Sequence, residues 1–252
     1  MMASQSFYLA SLMLERALAN PNWTAATEQR GSYQDLEKVA VILDVDETIL
    51  DNGPFQEKLI VEDTQYDSDE WDDWVGLGRA PRLSGAVSFV RRAEKLGVSI
   101  FYVTNREHKR WKETNENLRM KGFPVSEDGA NLLSKYKQPD WDSDKTPRRE
   151  FVARTHRILL LIGDDLNDFV SGSRTPDPSD PDPAYLQRRK VAEMHRNMWG
   201  TKWIVLPNPT YGSWERALYK VGAECRNPAD DEVRKACRKE KLRQKYLHLE
   251  GH

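Results

Sequence analysis

The sequence predicts an α/β fold, a doubly wound parallel sheet with a small, mostly helical cap. Three observations carry this. Four short apolar runs, Val39–Leu43, Val98–Val103, Ile158–Ile162 and Trp203–Leu206, are continuous rather than alternating. Continuous apolarity marks strands buried on both faces, as in a parallel sheet. Helical stretches separate the runs, and strand–helix alternation is the pattern of a parallel sheet. The length of 252 residues suits one large domain or a core with a cap.

Taken in order, Phe7, Leu9, Leu12, Met13, Leu14, Ala17 and Leu18 recur at amphipathic helical spacing, so residues 1–38 read as an N-terminal helical segment. Residues 39–51 and 83–215 read as the α/β core, with 52–82, rich in acids and holding Trp71 and Trp74, as a cap insertion. Within the core, Ser84 is expected to cap a helix carrying Val87, Val90, Ala93 and Leu96 and closed by Gly97. Thr146-Pro147 opens another, with proline at the first helical position. Residues 171–184 form a Pro/Asp/Ser loop. Residues 216–252 read as a C-terminal helical tail, acids before bases from Asp230 onward, an order that complements a helix dipole.

Lys plus Arg number 38 and Asp plus Glu 40, a net charge of −2. That balance argues against a binder of nucleic acid polymers, which carries a basic excess. No apolar run approaches the ~20 residues of a membrane span. Cys225 and Cys237 cannot complete a four-ligand zinc site alone. They either pair in an oxidising compartment or are two unrelated thiols. Met1 to Asn20 lacks the pattern of a secretory signal, so the protein is either cytoplasmic or shown without its signal.

The chemistry lies at the carboxyl end of each apolar run. The first ends in Asp44-Val45-Asp46-Glu47-Thr48, the second in Thr104-Asn105-Arg106, the third in Gly163-Asp164-Asp165-Leu166-Asn167-Asp168. Ligands of open α/β sheets bind beyond the carboxyl ends of the strands. One pocket would therefore collect several carboxylates, a hydroxyl, Arg106, and Lys145 from the start of its helix. Clustered carboxylates are tolerable when a divalent cation joins them, and oxygen donors favour Mg²⁺. The hydroxyl, Lys and Arg suit phosphate oxygens. Asp44 and Asp46 are two apart and would point the same way on an extended chain. Asp164 and Asp168 would share a face of a helix starting at Gly163. A carboxylate nucleophile, a second acid, a metal and a phosphate cradle together describe phosphoryl transfer through an aspartyl-phosphate.

These elements resemble, in order, the four motifs of the haloacid dehalogenase-like superfamily. The longer strings Asp44–Phe55, Phe101–Arg106, Gly163–Phe169 and Trp203–Trp214 resemble the class C acid phosphatases, the bacterial lipoprotein 5′-nucleotidase group, over roughly residues 5–220. The resemblance implies that Asp44 attacks phosphorus and that Asp46 protonates the leaving oxygen, then activates water. It implies that Asp44, the main-chain carbonyl of Asp46, and Asp164 hold Mg²⁺, with Asp165 and Asp168 behind them. Asp165 stands where relatives often carry Asn. Thr104, Asn105 and Lys145 would bind phosphate, with Arg106 nearby. Crowding by carboxylates would raise the pKa of Asp46, opposed by Mg²⁺, giving an acidic optimum. Phe55, Trp71, Trp74 and Tyr211 are candidates to stack a planar base, or else form the cap's own core.

The implied partners are small phosphomonoesters, with nucleoside 5′-monophosphates foremost. The resemblance suggests a periplasmic, outer-membrane-anchored or secreted protein, yet no lipid-attachment Cys stands at this N-terminus. Monomer and homodimer both remain open. Among rivals, a phosphate receiver domain places its acidic pair first and its phosphorylated Asp mid-chain, the reverse of the order here. A phosphotransferase passing the group to another hydroxyl, and a non-catalytic ligand-binding protein on the same fold, are the alternatives.

Overall fold

The fold is that of a computed structural model, which describes residues 1–29, 31, 33–171 and 184–217. Its centre is a sheet of five strands, β1 (Val39–Leu43), β2 (Ser99–Glu107), β3 (Leu132–Lys135), β4 (Arg157–Gly163) and β5 (Trp203–Val205). They lie in the order β3-β2-β1-β4-β5 and every pairing is parallel. β1 is central, with chain order running outward on both sides, so the crevice beyond its carboxyl end is the topological switch point.

Both faces of the sheet are buried. Val41 and Leu43 join one apolar cluster while Ala40 and Ile42 join the other, the two-residue alternation of a strand. The first cluster packs the sheet against α1 (Met2–Ala19), α4 (Ala86–Lys95) and α5 (Trp111–Met120). The second packs it against α6 (Thr146–Ala153) and the aromatic group Trp141, Phe169 and Trp203. A register shift between Ala40 and Val41 skips Leu159, which puts Leu159 and Leu160 in the same cluster.

α1 is integral to this packing. Phe7, Ala10, Leu14 and Ala17 are buried against the sheet and α4, whereas Leu12 faces outward. Its carboxyl end is fixed by Arg157 of β4, whose Nη1 donates to the carbonyls of Ala17, Asn20 and Trp23. A cation on terminal carbonyls satisfies groups the helix leaves unpaired.

Four local expectations are corrected. β3 adds to the predicted strands; it is a short edge strand, Leu-Leu-Ser-Lys, without a long apolar run. The cap of α4 is Gly85, not Ser84, and no side chain bonds it. Gly85 has φ 91°, and a Cβ there would lie 3.1 Å from the Cβ of Phe7, so the glycine permits the close α1–α4 approach. Leu96 is exposed, and Phe89 takes the core position instead. The fourth predicted strand ends at Val205, with Leu206 buried beyond it.

Between β1 and α4 run two short helices, α2 (Gly53–Val61) and α3 (Ser68–Gly76). The Asp67 carboxylate caps α3 by accepting from the N–H groups of Asp69 and Glu70. Asp72 of α3 pairs with Arg110 at 2.7 Å and Lys109 at 3.2 Å, tying the helix to the carboxyl side of β2. α7 (Ala184–Met194) and the short α8 (Ser213–Ala217) complete the described elements. No helix among the described residues is long and apolar enough to cross a membrane. Most of the 171–184 loop, the tail beyond 217, and Cys225 and Cys237 lie outside the described residues.

Leu14 is fully buried where α1 meets the sheet. Leu14→Ala is expected to lower stability by about 2–5 kcal/mol, read from urea unfolding with the urea dependence (m-value) unchanged.

Candidate active site

The carboxyl ends of β1, β2 and β4 converge on one acidic crevice. Asp44, Asp164 and Asp168 each offer a carboxylate oxygen within 4.8 Å of the others. Lys145, the residue capping α6, reaches into this group and is buried with it. Its Nζ donates to Asp168 Oδ1 at 2.6 Å and to Asp44 Oδ1. Thr48 Oγ1 lies 3.3 Å from both Asp44 Oδ2 and Asp164 Oδ1, joining the two strand ends.

Asp168 arrives by a different route from the helix expected at Gly163. The chain leaves β4 and makes a short 3₁₀ turn at Leu166–Asp168. Asp168 folds back, and its Oδ2 accepts from the N–H groups of Asp164 at 3.1 Å and Asp165 at 2.9 Å. Asp165 caps the same turn by accepting from the Asn167 N–H, a reciprocal capping box. Any Cβ at Gly163 would collide with the Asp168 carboxylate, so this return depends on glycine.

Burial of these carboxylates sets their protonation. Asp44 is pushed up to about 7, chiefly by burial; Lys145 opposes this, and Asp168 and Asp46 add to it. Asp164 is raised well above the usual carboxylate range by burial, then by Asp168 and Asp44. Lys145 is raised despite its burial, because Asp168 and Asp44 outweigh the loss of water. Carboxylates raised in this way are relieved by a cation, and an all-oxygen donor set fits a hard divalent ion. The residues present therefore fit a divalent metal.

Asp46 has different company. The carboxylates gathered near Lys145 are Asp44, Asp164 and Asp168, whereas the Asp46 side chain is bound by a guanidinium and an amide. Arg106 grips it, with Nη2 2.8 Å from Oδ1 and Nε 3.0 and 3.2 Å from the two oxygens. Asn52 Nδ2 donates to Oδ1 at 2.9 Å, and Thr104 Oγ1 lies 3.4 Å from Oδ2. Arg106 is buried, and its third nitrogen, Nη1, is turned to Thr114. The side chain of Arg106 is thus engaged by an ion pair with Asp46. The side chain of Asn105 is likewise committed, donating to the Ser143 carbonyl and accepting from Arg148.

Several contributors escape a reading of the sequence. Asn52 is fully buried and central: besides Asp46 it donates to Glu47 Oε2 at 3.1 Å, and its Oδ1 accepts from Trp74 Nε1 at 2.8 Å. Glu47 sits at φ 55° and is pushed up to about 8 by burial, then by Asp46. A segment after β5 crosses the crevice, with Asn208 Nδ2 2.9 Å from Asp164 Oδ2 and the Tyr211 hydroxyl donating to Glu47. The Ser213 N–H and hydroxyl donate to Asp165, which these bonds hold below the usual carboxylate range despite its burial. The only signal for Asn52 and Glu47 is their place in the string Asp44–Phe55.

The aromatic candidates divide. Phe55 is buried, packing edge-on to Trp71 with centroids 5.3 Å apart and stacking on Trp74 at 6.3 Å. It supports the other rings rather than offering a free face. Trp74 is anchored by its bond to Asn52 and packs on the main core. Trp71 is partly exposed, and the Arg106 guanidinium lies 5.9 Å from its ring centre, so this ring borders the Asp46 pair. Tyr211 is held by its hydroxyl to Glu47.

Residues 15–214 match the family model of the HAD superfamily, subfamily IIIB (acid phosphatase). The chain belongs to this subfamily. It is 31% identical over 140 residues to acid phosphatase 1 of Solanum lycopersicum, covering 52% of each chain. It is 30% identical over 149 residues to the stem 28 kDa glycoprotein of Glycine max, covering 56% of this chain and 58% of that one. The chain spans about half the length of these plant relatives. The class C acid phosphatase of Bacillus anthracis is similar in structure at TM-score 0.72 and 30% identity, covering 93% of this chain and 88% of that one. A structure of that enzyme with tungstate bound gives a TM-score of 0.73. The fold of this subfamily IIIB member is the expected parallel α/β sheet with flanking helices.

Asn52 donates to Asp46 and Glu47 and accepts from Trp74 and, at 3.4 Å, from Arg106. Asn52→Ala should cost at least about 2 kcal/mol in urea unfolding, because buried partners are left unpaired. Trp74→Phe, which removes one donor to Asn52, should cost less.

Proposed function

We propose that this protein is a Mg²⁺-dependent phosphomonoesterase of acid-phosphatase type that works through an aspartyl-phosphate on Asp44. The observation that carries this reading is the division of carboxylates. One set, Asp44, Asp164 and Asp168, is gathered around Lys145, while Asp46 is held apart by Arg106. Membership of subfamily IIIB supports it, as does the tungstate, a tetrahedral oxyanion, bound by the similar Bacillus anthracis enzyme.

Asp44, Asp164 and the main-chain carbonyl of Asp46 would hold the metal, with Asp168 and Asp165 behind them. When bound, the ion supplies positive charge to the phosphoryl oxygens and to the attacking carboxylate. Asp44 attacks phosphorus, the phosphorus–oxygen ester bond breaks, and Asp46 gives its proton to the departing alkoxide. Asp46 then takes a proton from water as that water attacks the aspartyl-phosphate, and Asp44 is released with inorganic phosphate. Asp46 Oδ2, with longer contacts than Oδ1, is the oxygen suited to that transfer. Thr104, the main chain at Asn105, and Lys145 bind the phosphoryl oxygens. The α2–α3 pair forms the cap. Trp71 at its inner edge offers the stacking face, which favours nucleoside 5′-monophosphates as substrates.

Phosphate release from AMP, p-nitrophenyl phosphate and a sugar phosphate tests the reading. Asp44→Asn is expected to abolish release from all three. Asp46→Asn should spare p-nitrophenyl phosphate most, because its leaving group needs little protonation in the first step. Release that persists in Asp44→Asn would rule out the nucleophile. Trp71→Ala should raise KM for AMP more than for the sugar phosphate, and equal rises would refute stacking.

Metal dependence has its own readout. At a Mg²⁺ concentration 100 times its Kd, folding should gain about 2.7 kcal/mol, seen as a rise in Tm. Asp164→Asn should largely remove that rise.

A further inference from the structure

Two arginines follow Lys145 on α6, and both are at 0% exposure. Arg149 has a carboxylate, with Nη2 2.6 Å and Nε 2.8 Å from Glu28 Oε1. Arg148 meets uncharged oxygens alone. Nη1 donates to the Thr104 carbonyl at 2.5 Å. Nη2 donates to Asn105 Oδ1 at 2.8 Å and to the carbonyls of Asp142 at 2.7 Å and Asp144 at 3.2 Å. Its Nε is buried with no hydrogen-bond partner, and among the described residues it forms no ion pair.

Burying a cation without a carboxylate is costly, and an apolar side chain of similar volume would fill the space at less cost. The cost appears as a guanidinium lowered to about 10, with burial the chief cause and Asp44 the leading opposing charge. The four acceptors belong to two segments only. One is the end of β2 at Thr104–Asn105, the other the loop at 142–144 that leads directly into Lys145. Those are the two sides of the phosphoryl-binding place proposed above.

Resting on that phosphomonoesterase reading, we propose that Arg148 is a positioning residue that staples the Thr104–Asn105 strand end to the Lys145 loop. Its charge, held in no ion pair among the described residues, would lie behind the phosphoryl group and favour a dianionic, tetrahedral oxyanion. Arg106, by contrast, spends its charge on Asp46.

Calorimetric titration of inorganic phosphate into the Mg²⁺-loaded protein tests this without requiring turnover. Arg148→Met, which removes both the charge and the staple, is expected to weaken phosphate binding by about tenfold or more. Arg148→Lys, which keeps the charge, should recover part of that loss. Mg²⁺ affinity should stay at the wild-type value in both, because Arg148 touches none of the three clustered carboxylates. Wild-type phosphate affinity in Arg148→Met, or equal loss of phosphate and Mg²⁺ binding, would overturn the proposal. Should the Arg148 variants fail to fold, Asn105→Ala removes one anchor of the staple. It should weaken phosphate binding several-fold with Mg²⁺ affinity retained, and no change would overturn the proposal. A wild type that binds phosphate but hydrolyses no monoester would defeat the phosphatase reading and leave this inference standing.

Discussion

The structure depends on one buried arrangement, an ammonium held between two carboxylates at the carboxyl end of a parallel sheet. Lys145 joins Asp44 just beyond β1 to Asp168 beyond β4, and all three are nearly inaccessible to water. Removing one member of such a group leaves charge buried and unpaired, which costs far more than a surface ion pair is worth. The surroundings are built accordingly. Gly163 lacks a Cβ so that Asp168 can return, and Arg149 fixes that return by donating to the carbonyls of Asn167 and Asp168. Thr48 closes the distance to Asp164.

The same crevice separates two carboxylates by environment. Asp44 lies among acids and one lysine, deep and raised in pKa. Asp46, two residues on, lies against a guanidinium, an amide and a threonine hydroxyl. Two carboxyl groups in contrasting surroundings are a common basis for assigning a nucleophile and an acid–base group. The contrast lies in the partner each meets, Lys145 from the start of α6 on Asp44 and Arg106 from β2 on Asp46. The segment carrying Asn208, Tyr211 and Ser213 then reaches Asp164, Glu47 and Asp165, so a distant stretch of chain braces three acids at once.

Much of this is legible in the sequence, for physical reasons. β1 and β4 announce themselves because strands buried on both faces must be apolar throughout, and β2 and β5 do so through their shorter apolar runs. β3 does not, because only two of its four residues, Leu132 and Leu133, are apolar, and the third buried position is Ser134. The residues gathered in the crevice, Asp44, Thr104, Lys145, Asp164 and Asp168, are legible because strand ends fix where side chains converge. Orientation is not. Period-two spacing gives no hint that Asp46 turns to Arg106, and helical spacing suggests the wrong route for Asp168. The buried arginines are also hidden, since a Lys-Thr-Pro-Arg-Arg stretch looks like a solvated face until tertiary packing encloses it.

The most direct test of the aspartyl-phosphate is covalent. The protein would be mixed with excess monoester and Mg²⁺, quenched in acid within the first turnovers, and digested, and the Asp44 peptide read by mass spectrometry. One phosphoryl group is expected on Asp44, absent in Asp44→Asn and longer-lived in Asp46→Asn. Phosphate release with no phosphorylated peptide, or with the group on another residue, would contradict a nucleophilic Asp44.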